Sequence, residues 1–157
     1  MLNFYDVDEK YIAFLKQYDR QVPDIRYDKN NKFVCGIVLK VNGIDYYAPI
    51  SHLKNKQQTN LQIYDGKRVV STIRFSFMFP ALSNVLAKKD FSVIAKTDPK
   101  YADLLQAEYL FCSKNADKIH KRAEKIYQIG CNKEHRLNYV CCDFKLLEQH
   151  YNEYKVQ

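Results

Sequence analysis

Asn42-Gly43 stands between two apolar runs, residues 33–41 and 44–50. Both residues of the pair tolerate positive φ, which a two-residue hairpin turn demands at its central positions. No other short pattern constrains the fold as strongly. The chain must turn back on itself here as two antiparallel strands, and the second strand must end at Ala48-Pro49-Ile50-Ser51-His52. Ser51, His52 and Lys54 then place a hydroxyl, an imidazole and an ammonium within four positions at a strand end. That grouping suits a phosphate, although a solvated polar loop is the competing reading.

The flanking segments supply the rest of an α+β domain. Tyr11, Phe14, Leu15 and Tyr18 recur at helical spacing, with Asp8 as N-cap and Val22-Pro23 as the stop. Residues 24–32 form a charged loop and 52–60 a polar one. Residues 61–64 and 68–73 flank Asp65-Gly66 as a second hairpin, and 74–79 are expected as a further strand ending at Pro80. The second half is mostly helical. Asp98-Pro99 opens one helix, with Leu104, Leu105, Tyr109 and Cys112 on its apolar face. Residues 114–129 form another, stopped by Gly130 in the C′ position. Residues 137–142 are expected as a short strand, and Asp143 caps a last helix bearing Phe144, Leu147 and Tyr151. Strands come first and helices after, with no repeat and no linker. The pattern is therefore α+β, not alternating β/α, in one domain over residues 1–157.

The charge of this domain is lopsided: +7 net, with a pI near 9.1. Such a balance favours a polyanionic partner, the competing reading being a basic protein with no nucleic-acid role. At about 100° per residue, Ala116, Ile119, Ala123, Ile126 and Tyr127 share one side of the 114–129 helix. Lys114, Lys118, Lys121, Arg122 and Lys125 share another. Most charged helix faces are simply solvated. These charges are nearly all of one sign, however, and like charges at i,i+4 cost stability unless a polyanion neutralises them. Lys10, Lys16 and Arg20 extend the basic surface, and the thirteen tyrosines offer stacking faces for unpaired bases. The first residues lack the basic and apolar regions of a signal peptide, and no apolar run reaches membrane-spanning length. Five cysteines without CxxC spacing fit reduced thiols and a cytoplasmic protein.

The candidate chemistry is narrow. Neighbours on an extended chain point to opposite sides, so Ser51 and His52 do not form a hydrolase pair, and no G-x-S-x-G is present. Cys131, His135, Cys141 and Cys142 have irregular spacing for zinc, and no paired carboxylates suggest a two-metal nuclease. No metal and no cofactor is expected. RNA brings its own nucleophile, the 2′-OH beside each phosphorus. A protein acting on it must hold in-line geometry, stabilise added negative charge and manage two protons. Products would be a 2′,3′-cyclic phosphate and a 5′-OH, and DNA would be inert. A non-catalytic RNA-binding module would use the same basic groove.

The chain resembles the ToxN/AbiQ/CptN endoribonuclease toxins of type III toxin–antitoxin systems. The resemblance rests on Asn3-Phe4-Tyr5, Lys10-Tyr11-Ile12, Leu15-Lys16 and Val22-Pro23, then on Lys32 ahead of Gly36-Ile37-Val38-Leu39. It continues through Tyr47-Ala48-Pro49-Ile50-Ser51 with Lys54, Phe77-Met78-Phe79-Pro80, Asn115-Ala116-Asp117-Lys118-Ile119 and Asp143-Phe144-Lys145-Leu146-Leu147-Glu148. The Gly-Ile-Val-Leu to Ala-Pro-Ile-Ser-x-x-Lys block is its specific part. The resemblance implies a compact, strongly bent antiparallel sheet with flanking helices, similar to the Kid/MazF fold. It implies cleavage of cellular RNA and processing of a repetitive antitoxin RNA. That RNA, folded as a pseudoknot, would inhibit the enzyme within a closed protein–RNA assembly, and the setting would be abortive phage infection. The family motif carries over to Ser51 and Lys54 and, on the preceding loop, to Tyr27 and Lys32. Lys54 and Lys32 would stabilise the pentavalent phosphate, Ser51 would orient an oxygen, and Tyr27 would position the nucleotide or supply a proton. His52 stands where the family often has a second hydroxyl residue, and its imidazole would be a candidate general base.

Overall fold

The computed structural model describes residues 1–26 and 30–156. The expected hairpin is its centre: β2 (Phe33–Val41) and β3 (Ile44–Ser51) pair antiparallel around Asn42 (φ 50°) and Gly43 (φ 80°). A register shift between Gly36 and Leu39 kinks β2. A Cβ at Gly36 would collide with the Tyr47 ring, so glycine lets that aromatic lie across the neighbouring backbone. The second hairpin, β4 (Asn60–Asp65) and β5 (Arg68–Arg74), turns at Gly66 (φ 63°).

A strand not expected from the sequence, β1 (Asn3–Val7), pairs with β2, and the short β7 (Leu86–Lys88) pairs with β1. The seven-stranded sheet runs β4-β5-β3-β2-β1-β7, with β6 (Phe79–Pro80) also on β3. One edge of β3 therefore changes partner. Tyr46 and Tyr47 face β6, whereas Ile50 and Ser51 face β5.

Residues 74–79 are not the expected strand. Phe75–Phe77 form a 3₁₀ turn, because Phe75, Met78 and Phe79 must all be buried, which period-two alternation forbids. Helix α1 (Glu9–Lys16) is capped by Asp8 as expected but ends well before Val22-Pro23. The Asp19 carboxylate accepts from the Gln21 and Asp143 amides (2.9 and 2.6 Å) and draws the chain out of the helix.

Four further helices complete the helical half. Helix α2 (Phe91–Thr97), not expected, precedes α3 (Pro99–Lys114), whose N-cap is Asp98. The Asn115 side chain donates to the Phe111 carbonyl (2.8 Å) and closes α3 there, so 114–129 is not one helix. Helix α4 (Ala116–Cys131) runs through Gly130, which has no positive φ and is not its C′ residue. A Cβ at Gly130 would strike the Phe144 ring, so close packing explains the glycine. The α4 carbonyls of Ile129 and Gly130 accept from Asn138 (3.0 Å each). Asn138–Val140 is thereby a 3₁₀ turn, not a strand. Asp143 caps α5 (Phe144–His150) as expected. One apolar cluster joins the two halves through Phe4, Ile63, Leu105, Ile119 and Phe144. No helix among the described residues is long and apolar enough to cross a membrane.

Candidate active site

Ser51 ends β3 opposite Thr72 of β5, and Ile50 lies opposite Ile73. Antiparallel pairing therefore sets Pro49, Ser51, Thr72 and Arg74 on one face of the sheet. Pro49, Ser51 and Arg74 line a pocket of about 480 Å³. The end of α1 and the turn after it supply its other wall with Lys16, Arg20, Asp24 and Arg26, and Lys32 enters from the start of the hairpin. Five cations thus surround this pocket against one carboxylate.

The walls are held by specific bonds. Gln21 donates to the Tyr139 carbonyl (2.5 Å), tying the post-helix turn to the segment before α5. Lys16 donates to the Val22 carbonyl (2.9 Å) and pairs with Asp24 (3.3 Å). The Lys32 amide donates to the Ile25 carbonyl (2.7 Å). The Ser51 hydroxyl accepts from the Leu53 amide (3.2 Å), which turns the chain as it leaves the strand.

The sequence-derived candidates divide. Ser51, Lys32 and Lys16 come together at the pocket. His52 and Lys54 are exposed on the following loop and are not among the pocket's lining residues, as alternation at a strand end requires for His52. Tyr27 lies outside the described residues. Lys10 is exposed beside the Asp8 cap, away from the lining. Lys114 belongs to the last turn of α3 and separates from the α4 charges. Lys118 and Lys121 are exposed on α4. Arg122 and Lys125 line a depression of about 590 Å³ with Lys56, His135 and Arg136. Arg122 also donates to the Asn60 carbonyl (2.7 Å), so part of its fork holds the start of β4.

A third depression of about 540 Å³ joins these two. It shares Gln21, Arg74 and Phe77 with the Ser51 pocket, and Gln57, Gln58, Arg136 and Leu137 with the α4 depression. The result is one continuous basic groove with Ser51 at one end and Lys125 at the other. Tyr139 lines its middle at 75% exposure. Arg74, Phe77 and Tyr139 were not picked out by spacing, because only strand register and the 3₁₀ turns bring them to the groove.

A separate pocket of about 460 Å³ beside Asn3 and Tyr109 contrasts with this groove. Its Lys89 is paired with Asp6 (2.9 Å) and lies over the Phe33 and Tyr101 rings. Among the described residues, no three His, Cys, Asp or Glu side chains are grouped to hold a metal ion.

Comparison with known proteins bears on this site. The model of the family described as toxin ToxN, type III toxin–antitoxin system, matches residues 3–152. An endoribonuclease ToxN of Bacillus thuringiensis subsp. kurstaki is 27% identical over 97% of this chain and 84% of its own length. An endoribonuclease ToxN of Pectobacterium atrosepticum is 26% identical over 98% of this chain and 94% of its own. Endoribonuclease AbiQ of Lactococcus lactis subsp. lactis is 25% identical over 94% and 86%. A solved structure from work on selective toxin inhibition by a non-coding RNA pseudoknot superposes with a TM-score of 0.90. It is 26% identical and covers 99% of both chains.

Proposed function

The chain belongs to the ToxN family of type III toxin–antitoxin toxins, and we propose that it is an endoribonuclease that cleaves RNA without a metal ion. The observation that carries this reading is the continuous basic groove with a hydroxyl, Ser51, at a pocket that five cations surround. The ribose 2′-OH attacks the adjacent phosphorus. A 2′-O–P bond forms, the P–O5′ bond breaks, one proton leaves the 2′-oxygen and one reaches the 5′-oxygen. The products are a 2′,3′-cyclic phosphate and a 5′-OH.

Ser51 orients a phosphate oxygen or the 2′-OH, and Lys32 stabilises charge from the hairpin side. Lys54 and His52 act from the adjoining loop, His52 as the proton acceptor. Tyr27 positions the nucleotide or supplies the proton to the leaving group. Lys118, Lys121, Arg122 and Lys125 guide the phosphate backbone along the groove, with Lys16 at the pocket. The same groove accepts a repetitive, pseudoknot-forming antitoxin RNA, which the enzyme processes and which inhibits it in a closed assembly. The single domain acts in the cytoplasm on cellular RNA.

The test is purified protein with single-stranded RNA in EDTA, with end-group analysis of the products. Cleavage to cyclic-phosphate ends is the expected result, with a matching DNA left intact. RNA retained but uncut would identify a binding module. A requirement for divalent ions, or equal cleavage of DNA, would refute the mechanism.

A further inference from the structure

Buried polar atoms in folded proteins nearly always have a hydrogen-bond partner. Among the described residues, one buried side-chain nitrogen or oxygen has none: Nε of Arg74. The residue stands on the wall of the Ser51 pocket, two positions beyond the residue opposite Ser51 and on the same sheet face. Its guanidinium carbon lies 4.5 Å from the centre of the Phe77 ring, a cation–π contact that fixes the plane of the fork. Phe77 takes this place because the 3₁₀ turn after β5 folds it back beside the strand end.

The neighbouring cations differ. Lys16 is engaged by Val22 and Asp24, and Lys54 is exposed outside the lining. Burial lowers the pKa of Arg74, the signature of a charge partly stripped of water. Such a group gains from an anion that offers acceptors to its donors.

We propose that Arg74 grips the scissile phosphate, its planar fork donating to the two non-bridging oxygens of the phosphodiester that Ser51 faces. The assignment rests on the endoribonuclease reading. As the 2′-O–P bond forms and the P–O5′ bond breaks, the phosphorane carries an added negative charge on those oxygens. A preorganised bidentate donor meets that charge without moving a proton. Lysine cannot replace it, because an ammonium is a point charge without the fork.

The experiment compares wild type, Arg74→Ala and Arg74→Lys on a randomised single-stranded RNA pool in EDTA, with circular dichroism and thermal unfolding of each. Both variants should remain folded and cut about a hundredfold more slowly or worse. Millimolar guanidinium should restore part of the Arg74→Ala rate and leave Arg74→Lys unchanged. If Arg74→Ala fails to fold, Arg74→Lys decides, since its stem still covers Phe77. Arg74→Lys cutting at the wild-type rate, or a folded Arg74→Ala without rescue, overturns the assignment. An inactive wild type refutes the endoribonuclease reading itself, and the assignment with it, before any variant is compared.

Discussion

Strand β3 carries a polar cluster at each end, and the two are built on opposite principles. At its start, Tyr46 donates to Oε2 of Glu148 (2.6 Å), and Tyr127 of α4 donates to the same oxygen (2.6 Å). Lys145 lies 3.6 Å from the other carboxylate oxygen. Phe144 packs against both tyrosine rings. Burial and the Glu148 bond push both phenols well above their usual range, so they stay protonated donors. Five residues on, about 16 Å along a strand, Ser51 and Arg74 face a groove with cations in excess and Arg74 Nε without an acceptor. A satisfied cluster holds helices to the sheet. A cluster left with surplus donors is arranged for a ligand, because the fold bears its desolvation without a return in stability.

This contrast can be broken by variants that should separate chemistry from stability. Ser51→Ala carries the largest expected effect. Cleavage should fall by about a thousandfold, or ~4 kcal/mol of barrier. RNA affinity should change little, and the urea midpoint should move by no more than the loss of one local bond. Normal cleavage by this variant would remove Ser51 from the site. Glu148→Ala should do the reverse. Tyr46 keeps only its longer bond to the Phe144 carbonyl (3.4 Å) and the half-buried Tyr127 hydroxyl loses its carboxylate acceptor, at about 3 kcal/mol in urea unfolding, while the folded fraction cleaves at the wild-type rate. Equal loss in stability and in specific activity would erase the distinction between the two ends.

An effect visible only as pH changes concerns Glu108 of α3, a buried carboxyl whose hydroxyl partner is Ser71 of β5 (2.5 Å). Burial raises its pKa from 4.5 to about 7, against the opposing pull of the Ser71 bond. The folded state therefore holds a proton that the unfolded chain releases near pH 4.5. Its contribution to stability is complete below that pH and is lost as pH rises toward 7, at up to ~1.4 kcal/mol per pH unit. Glu108→Gln should flatten that segment of the stability profile. An unchanged slope between pH 5 and 7 would show that the carboxyl ionises as freely in the fold as outside it.

Local chemistry made several features legible in the sequence. Asn42-Gly43 announced the hairpin because the turn's dihedrals depend on those two residues alone. Asp8, Asp98 and Asp143 announced helix starts because a cap acts on amides two or three residues away. The features that misled were also local in appearance. Gly130 looked like a helix stop but makes room for Phe144, and residues 74–79 looked like a strand but bury three aromatic or aliphatic side chains by turning. The strand β1 was hidden by Asp6 among its apolar residues.

From its sequence alone, this protein was marked as a basic α+β chain whose central hairpin ends at Ser51, since turn dihedrals, caps and charge are properties of residues and their near neighbours. Only the tertiary structure decided that Arg74 would share Ser51's face, that Lys54 and His52 would sit outside the pocket lining, and that α4 would extend the groove. Those outcomes depend on strand register and on burial, which arise from contacts between residues far apart in the chain.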